Sequence, residues 1–116
     1  METLRRDNIV IPQGTTWALQ WPIEQTEGVL TTEGWTVRAQ IRHTAHSAEV
    51  LHEWSTEKDN ATITNDYIEL RVSAEESSSW DWIYDNAVFD AEVTLANGEV
   101  VRLSQGSVTV SPQVTR

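Results

Sequence analysis

Large apolar side chains recur at every second residue in segment after segment of this sequence, and that period limits the fold more than any other feature. In Trp35–Arg42, the residues Trp35, Val37, Ala39 and Ile41 point one way and Thr36, Arg38, Gln40 and Arg42 the other. This is the pattern of a strand with one buried and one wet face. Thr15–Trp21 repeats it through Trp17, Leu19 and Trp21, Tyr67–Val72 through Ile68, Leu70 and Val72, and Ala87–Leu95 through Ala87, Phe89, Ala91, Val93 and Leu95. Further short strands are expected at Asn8–Ile11, Val50–Trp54, Ala61–Thr64, Glu99–Leu103 and Ser107–Val110.

The punctuation fits the same reading. Asn97-Gly98 between two alternating runs predicts a two-residue type I′ hairpin, with both residues at positive φ. Pro12-Gln-Gly14, Glu33-Gly34 and Gln105-Gly106 read as further breaks. One stretch departs from the period: Ser73, an N-cap residue type, is followed three residues later by Glu76, so Ser73–Trp80 is expected to form a short helical crossover. Long helical periods between the strands are absent, which excludes an α/β fold. The expected fold is all-β: a single domain over residues 1–116, an immunoglobulin-like antiparallel sandwich of about seven to nine strands. Its expected core contains Trp17, Leu19, Trp35, Val37, Ile41, Ile68, Leu70, Phe89, Val93, Leu95, Leu103 and Val108.

Composition then narrows the function classes. There is no cysteine, so neither disulfides nor thiolate metal sites hold the chain together. Six tryptophans supply core material instead, each able to bury roughly 150–250 Å². The net charge is −10, with Lys58 the only lysine, which opposes binding to nucleic acid and docking on an anionic membrane. No apolar run approaches the ~20 residues of a membrane span. The first residues carry charge without a following apolar stretch, so synthesis in a cytoplasm without a secretory signal is expected.

No motif commits the chain to chemistry. His43, His46 and His52, with Glu49 and Glu53 nearby, read as surface residues rather than a metal site. Asp81, Asp85, Asp90 and Glu92 form an acidic face without the glycine and closing acid of a calcium loop. Asp90 and Glu92, about 7 Å apart along a strand, read as solvent-facing acids rather than a glycosidase pair. No catalytic residue, cofactor or metal is therefore expected. The tryptophans are the unusual feature. Trp17, Trp21 and Trp35 take core parity, whereas Trp54, Trp80 and Trp82 sit at strand ends or in the crossover. Those three are candidate interface anchors. Ser107 and Thr109 join them on a terminal strand expected at a sheet edge, where a neighbour's backbone can add.

Several strand patterns resemble a known family. Tyr67–Ala74, the acidic crossover, Tyr84–Leu95, Asn97–Leu103, Gly106–Val110 and the closing Val114-Thr-Arg116 are similar to small β-sandwich modules of tailed phages, of the lower-tail-fibre and baseplate-upper-protein type. Ile11–Trp17 and Trp35–Arg42 match the first hairpin and following strand of such modules. The loop Trp80–Asp85 departs from the pattern, standing where a Gly-Xaa-Tyr turn usually enters the strand. The resemblance implies a non-enzymatic virion protein at the tail, tail tip or baseplate, whose partners are other virion proteins in a homo- or hetero-oligomeric assembly. The alternatives are a capsid-decoration or head–tail accessory protein, and a carbohydrate-binding module that stacks a host glycan on exposed Trp.

Overall fold

The computed structural model describes residues 5–23, 31–82 and 86–115. Among the described residues, nine strands and one short helix run in the order β1 Arg5–Arg6, β2 Ile9–Pro12, β3 Trp17–Pro22, β4 Thr36–Arg42, β5 His52–Ser55, β6 Ala61–Ile63, β7 Tyr67–Val72, α1 Ala74–Ser78, β8 Ala87–Thr94 and β9 Val100–Ser111. They form two sheets, one in the order β1-β9-β8-β4-β5 with β2 also on β9, the other β3-β7-β6. One hydrophobic cluster draws from both inner faces, including Ile41, Trp54 and Phe89 from the larger sheet and Trp21, Ile68 and Leu70 from the smaller. The fold is an all-β sandwich.

The period-two strands keep their register. Along β8, Ala87, Phe89, Ala91 and Val93 are buried while the intervening residues are half-buried. Trp17, Leu19, Trp35 and Leu95 lie at the margin, partly buried against the cluster. Ser73 caps α1 by accepting a hydrogen bond from the Glu76 N–H at 3.1 Å, so the capping signal marks the helix start correctly.

Three expectations are corrected. The hairpin after β8 is not type I′: Gly98 has φ +90°, while Asn97 does not have a positive φ. The Gly98 N–H bonds the Leu95 carbonyl at 2.9 Å and the Leu95 N–H bonds the Glu99 carbonyl at 2.8 Å. That is the three-residue loop, a type I turn followed by a left-handed glycine.

Glu99–Leu103 and Ser107–Val110 are not separate strands either. β9 runs unbroken from Val100 to Ser111, and the parity change between Leu103 and Val108 is made by a β-bulge. Ala91 faces Ser104 and Glu92 faces Arg102, leaving Leu103 as the extra residue, so Leu103 and Ser104 are both buried. Gly106 is a close approach rather than a turn: a Cβ built there would overlap the Asp7 carbonyl oxygen.

Finally, the sandwich is not wholly antiparallel. β1 and β2 run parallel to β9, with Ile9 beside Val108 and Ile11 beside Val110. Asp7, between them, accepts hydrogen bonds from Trp21 Nε1 at 2.9 Å and from Ser104 Oγ, tying the first strand to both sheets.

Candidate functional site

The outer face of the larger sheet carries an ordered polar network. β4 directs Arg38, Gln40 and Arg42 outward, because their neighbours Val37, Ala39 and Ile41 are committed to the core. β8 sets Glu92 opposite Arg38 and Asp90 opposite Gln40, while β5 sets Glu53 opposite Gln40 on the other side. Glu53 is the hub. It accepts from Arg38 Nε at 2.7 Å and Gln40 Nε2 at 2.7 Å, and its other oxygen lies 3.3 Å from Lys58 Nζ.

The hydrogen bond from Gln40, then that from Arg38, stabilise the carboxylate and hold its pKa down at about 2. The same contact raises the Arg38 pKa. Gln40 passes the chain on: its Oε1 accepts from Arg42 Nη2 at 2.9 Å, and Arg42 Nη1 donates to the Ser47 and Ala48 carbonyls. Seven residues from two strands and two loops are thus held in one arrangement. Beside them, Asp90 faces Arg102 at 3.8 Å. Arg38, Gln40, Arg42, Val88, Asp90 and Glu92 line a groove of about 250 Å³ on this face.

A row of rings runs from Trp17 through Trp54, His52 and Trp80 to Trp82. Trp17 and Trp54 have centroids 5.8 Å apart, His52 meets Trp54 edge-on at 4.6 Å, Trp80 lies 5.2 Å from His52, and Trp82 stacks on Trp80 at 4.8 Å. Trp54 spans the core and donates its Nε1–H to the Arg71 carbonyl on the other sheet at 2.9 Å.

These positions correct the expected interface. Trp54 is 0% exposed and Trp82 9%, so both are core residues, and Trp80 alone of the three is half-buried. Ser107 and Thr109 are not on an edge, since β9 lies between β8 and the N-terminal strands. The small side chains at 107 and 109 do admit a neighbouring backbone, but the neighbour is β2 of the same chain. Ser107 Oγ bonds the Asn8 side chain at 3.0 Å.

Among the described residues, three sheet edges carry features that oppose strand addition. The Thr56 N–H to Val37 carbonyl bond turns the backbone of His52 and Trp54 toward β4, leaving Glu53 and Ser55 facing outward. There the Asn60 amide accepts from the Ser55 N–H at 2.9 Å and donates to the Glu53 carbonyl at 3.0 Å, occupying the position of a further strand. The exposed edges of β2 and β3 end on Pro12 and Pro22, which lack an N–H. Strand addition at 107–110 is therefore withdrawn.

Neither protein-family models nor curated proteins match the chain.

His43 and His46 lie exposed in the β4–β5 loop, but His52 is 8% exposed, contrary to its expected surface position. The signal was present in the sequence: in the strand expected over Val50–Trp54, His52 and Trp54 share a face. Desolvation lowers the His52 pKa to about 4. Among the described residues no group of three or more His, Cys, Asp or Glu is placed to hold a metal ion. No described helix is long and apolar enough to cross a membrane. Tyr84 and Asp85, counted above in the resemblance and the acidic face, lie outside the described residues, as does Arg116. Sequence reasoning missed Glu53 and Asn60 because their partners come from elements that local patterns do not join.

Proposed function

We propose that this chain is a non-enzymatic structural subunit of a tailed-phage virion, seated in the tail, at its tip or in the baseplate. It is held there by other virion proteins against the outer face of its larger sheet. The observation that carries docking on this face is the network centred on Glu53, in which Arg38, Gln40, Lys58 and Arg42 are already fixed by mutual hydrogen bonds and ion pairs. Side chains ordered before binding lose less entropy at an interface, about 0.5–1.5 kcal/mol less for each long side chain. Alternating charges with a groove beside them favour a partner of complementary charge pattern. What supports the virion setting is the similarity of the strand patterns over Tyr67–Val110 to tail-module sandwiches.

Sugar stacking has less to recommend it, because Trp54 and Trp82 offer no open ring face. The test is replacement of Val88 and Glu92, half-buried residues lining the groove, by Asp and Arg in the phage genome. The purified variant protein should still unfold in one cooperative transition, at a somewhat lower temperature because Arg at 92 faces Arg38 and Arg102, while particles lose it by mass spectrometry. Undiminished incorporation would move the interface to another face. Absence of the unaltered protein from particles would end the virion reading.

A further inference from the structure

His52 is packed as a neutral ring in a place that leaves one of its two nitrogens without a partner among the described residues. Its side chain is 6% exposed, with the Trp54 ring on one side and Trp80 on the other. Nε2 is buried and has no hydrogen-bond partner among the described residues. Nδ1 lies 3.8 Å from Glu76 Oε2, on α1.

The cover over this ring is the crossover from Ser73 to Trp80. α1 has five residues, and polar contacts pin it to the sandwich: Ser77 Oγ accepts from the Gly14 N–H at 2.8 Å, Ser78 Oγ bonds Gln113 at 3.0 Å, and the Trp80 carbonyl accepts from Gln13 Nε2 at 3.2 Å. Short elements held by a few such contacts open locally at less free energy than the whole domain.

We propose that His52 is a proton-operated latch: when neutral it seats the α1–Trp80 crossover against the sandwich, and protonation favours a state in which the crossover lifts and the ring reaches water. The charged groups that face it are Glu76 on α1, Glu53 on β5 and Lys58 on the β5–β6 loop. Lys58 opposes the proton, and Glu53 and the Glu76 carboxylate favour it, but desolvation of a charged ring between two tryptophans is the largest effect and keeps the closed form neutral. In the lifted form the ring is hydrated and titrates at its ordinary value of 6.5. The lifted form therefore binds more protons below that pH, and the closed-to-lifted ratio falls by about tenfold for each pH unit between 6.5 and 4.

Hydrogen exchange read by NMR between pH 7.5 and 5, corrected for the intrinsic rate, tests this on the full chain. The reporters are the Ser77, Ser79 and Trp80 amides, whose bonds lie within the crossover, with Ala91 and Val93 in β8 as the reference for global unfolding. Crossover protection should lie well below that of β8 and respond little to dilute urea, and it should fall about tenfold per pH unit below 6.5. In H52F, which keeps a ring and cannot take a proton, that fall should vanish; H52Q serves if H52F does not fold. Crossover protection equal to that of β8 at every pH would mean that only global unfolding exposes His52. That result, a flat wild-type profile, or an unchanged slope in the variant would each overturn the latch.

Discussion

Gly106 offers the sharpest test of the parallel N-terminal strand. A Cβ at this position meets the Asp7 carbonyl oxygen, a backbone atom that no rotamer change can move aside. G106A must therefore displace the segment that carries Ile9 and Ile11 into the core, 7% and 0% exposed, and that supplies the Asp7 carboxylate to Trp21 and Ser104. Detaching the strand completely would forfeit about 1.5–3 kcal/mol for each isoleucine. Loss of the charge-assisted hydrogen bonds adds about 1.5–3 kcal/mol each. Partial shifts that keep the strand attached cost about 1–3 kcal/mol, the usual range for overpacking. A loss of about 3 kcal/mol is the expected outcome, between these limits.

G98A is the control. Gly98 also departs from ordinary geometry, with φ +90°, but a Cβ there has nothing within 4 Å, so only backbone strain of about 1 kcal/mol applies. For a chain of 116 residues, unfolding entropy of about 2.1 cal/mol/K per residue converts these losses to about 12 °C for G106A and 4 °C for G98A. Differential scanning calorimetry with urea titration reads both. Equal drops for the two variants, or a smaller one for G106A, would refute the close packing of the first strand on β9.

W54A should cost about 3–5 kcal/mol in urea unfolding, because it empties the centre of the core and strands the Arg71 carbonyl. W80S should cost less than W82S, since Trp80 is half-buried and Trp82 is buried; equal losses would contradict the ranking. The Glu53 carboxyl titrates at about 2 in the fold against an ordinary 4.5, so its contribution is complete above pH 4.5 and is lost as pH falls toward 2. In E53Q the acid limb of a pH-stability curve should be shallower than in the wild type, and an unchanged limb would count against Glu53 as the hub.

Period-two alternation made β4, β7 and β8 legible, because a strand with one buried face writes its register into every second residue. The same rule misled at β9. A parity change between Leu103 and Val108 is equally well produced by a turn or by one extra residue, and only the cross-strand partners Ala91 and Glu92 show that it is a bulge. Gly106 added to the error: glycine serves turns and close approaches alike, and the approaching atom belongs to Asp7, almost the whole chain away. For the candidate site, the outward side chains of β4 and β8 were readable. The hub at Glu53 was not, since it gathers Arg38, Gln40 and Lys58 through pairing that no local pattern specifies. Trp54, Trp80 and Trp82 were grouped by their positions near strand ends, yet the row of rings turns two of them into core.

The proposed docking through the outer face of the larger sheet is tested most directly by cross-linking mass spectrometry on purified particles of the phage in which the chain is proposed to sit. Lys58 is the only lysine, 53% exposed, and bonded to Glu53 on that face, so it is a built-in reporter. Treatment of intact particles with a lysine-reactive cross-linker should join Lys58 to a tail or baseplate protein, and the link should disappear in the Val88 and Glu92 double variant. Particles that contain the chain with Lys58 freely modified and never linked would contradict docking on this face, and particles without the chain would contradict the virion assignment itself.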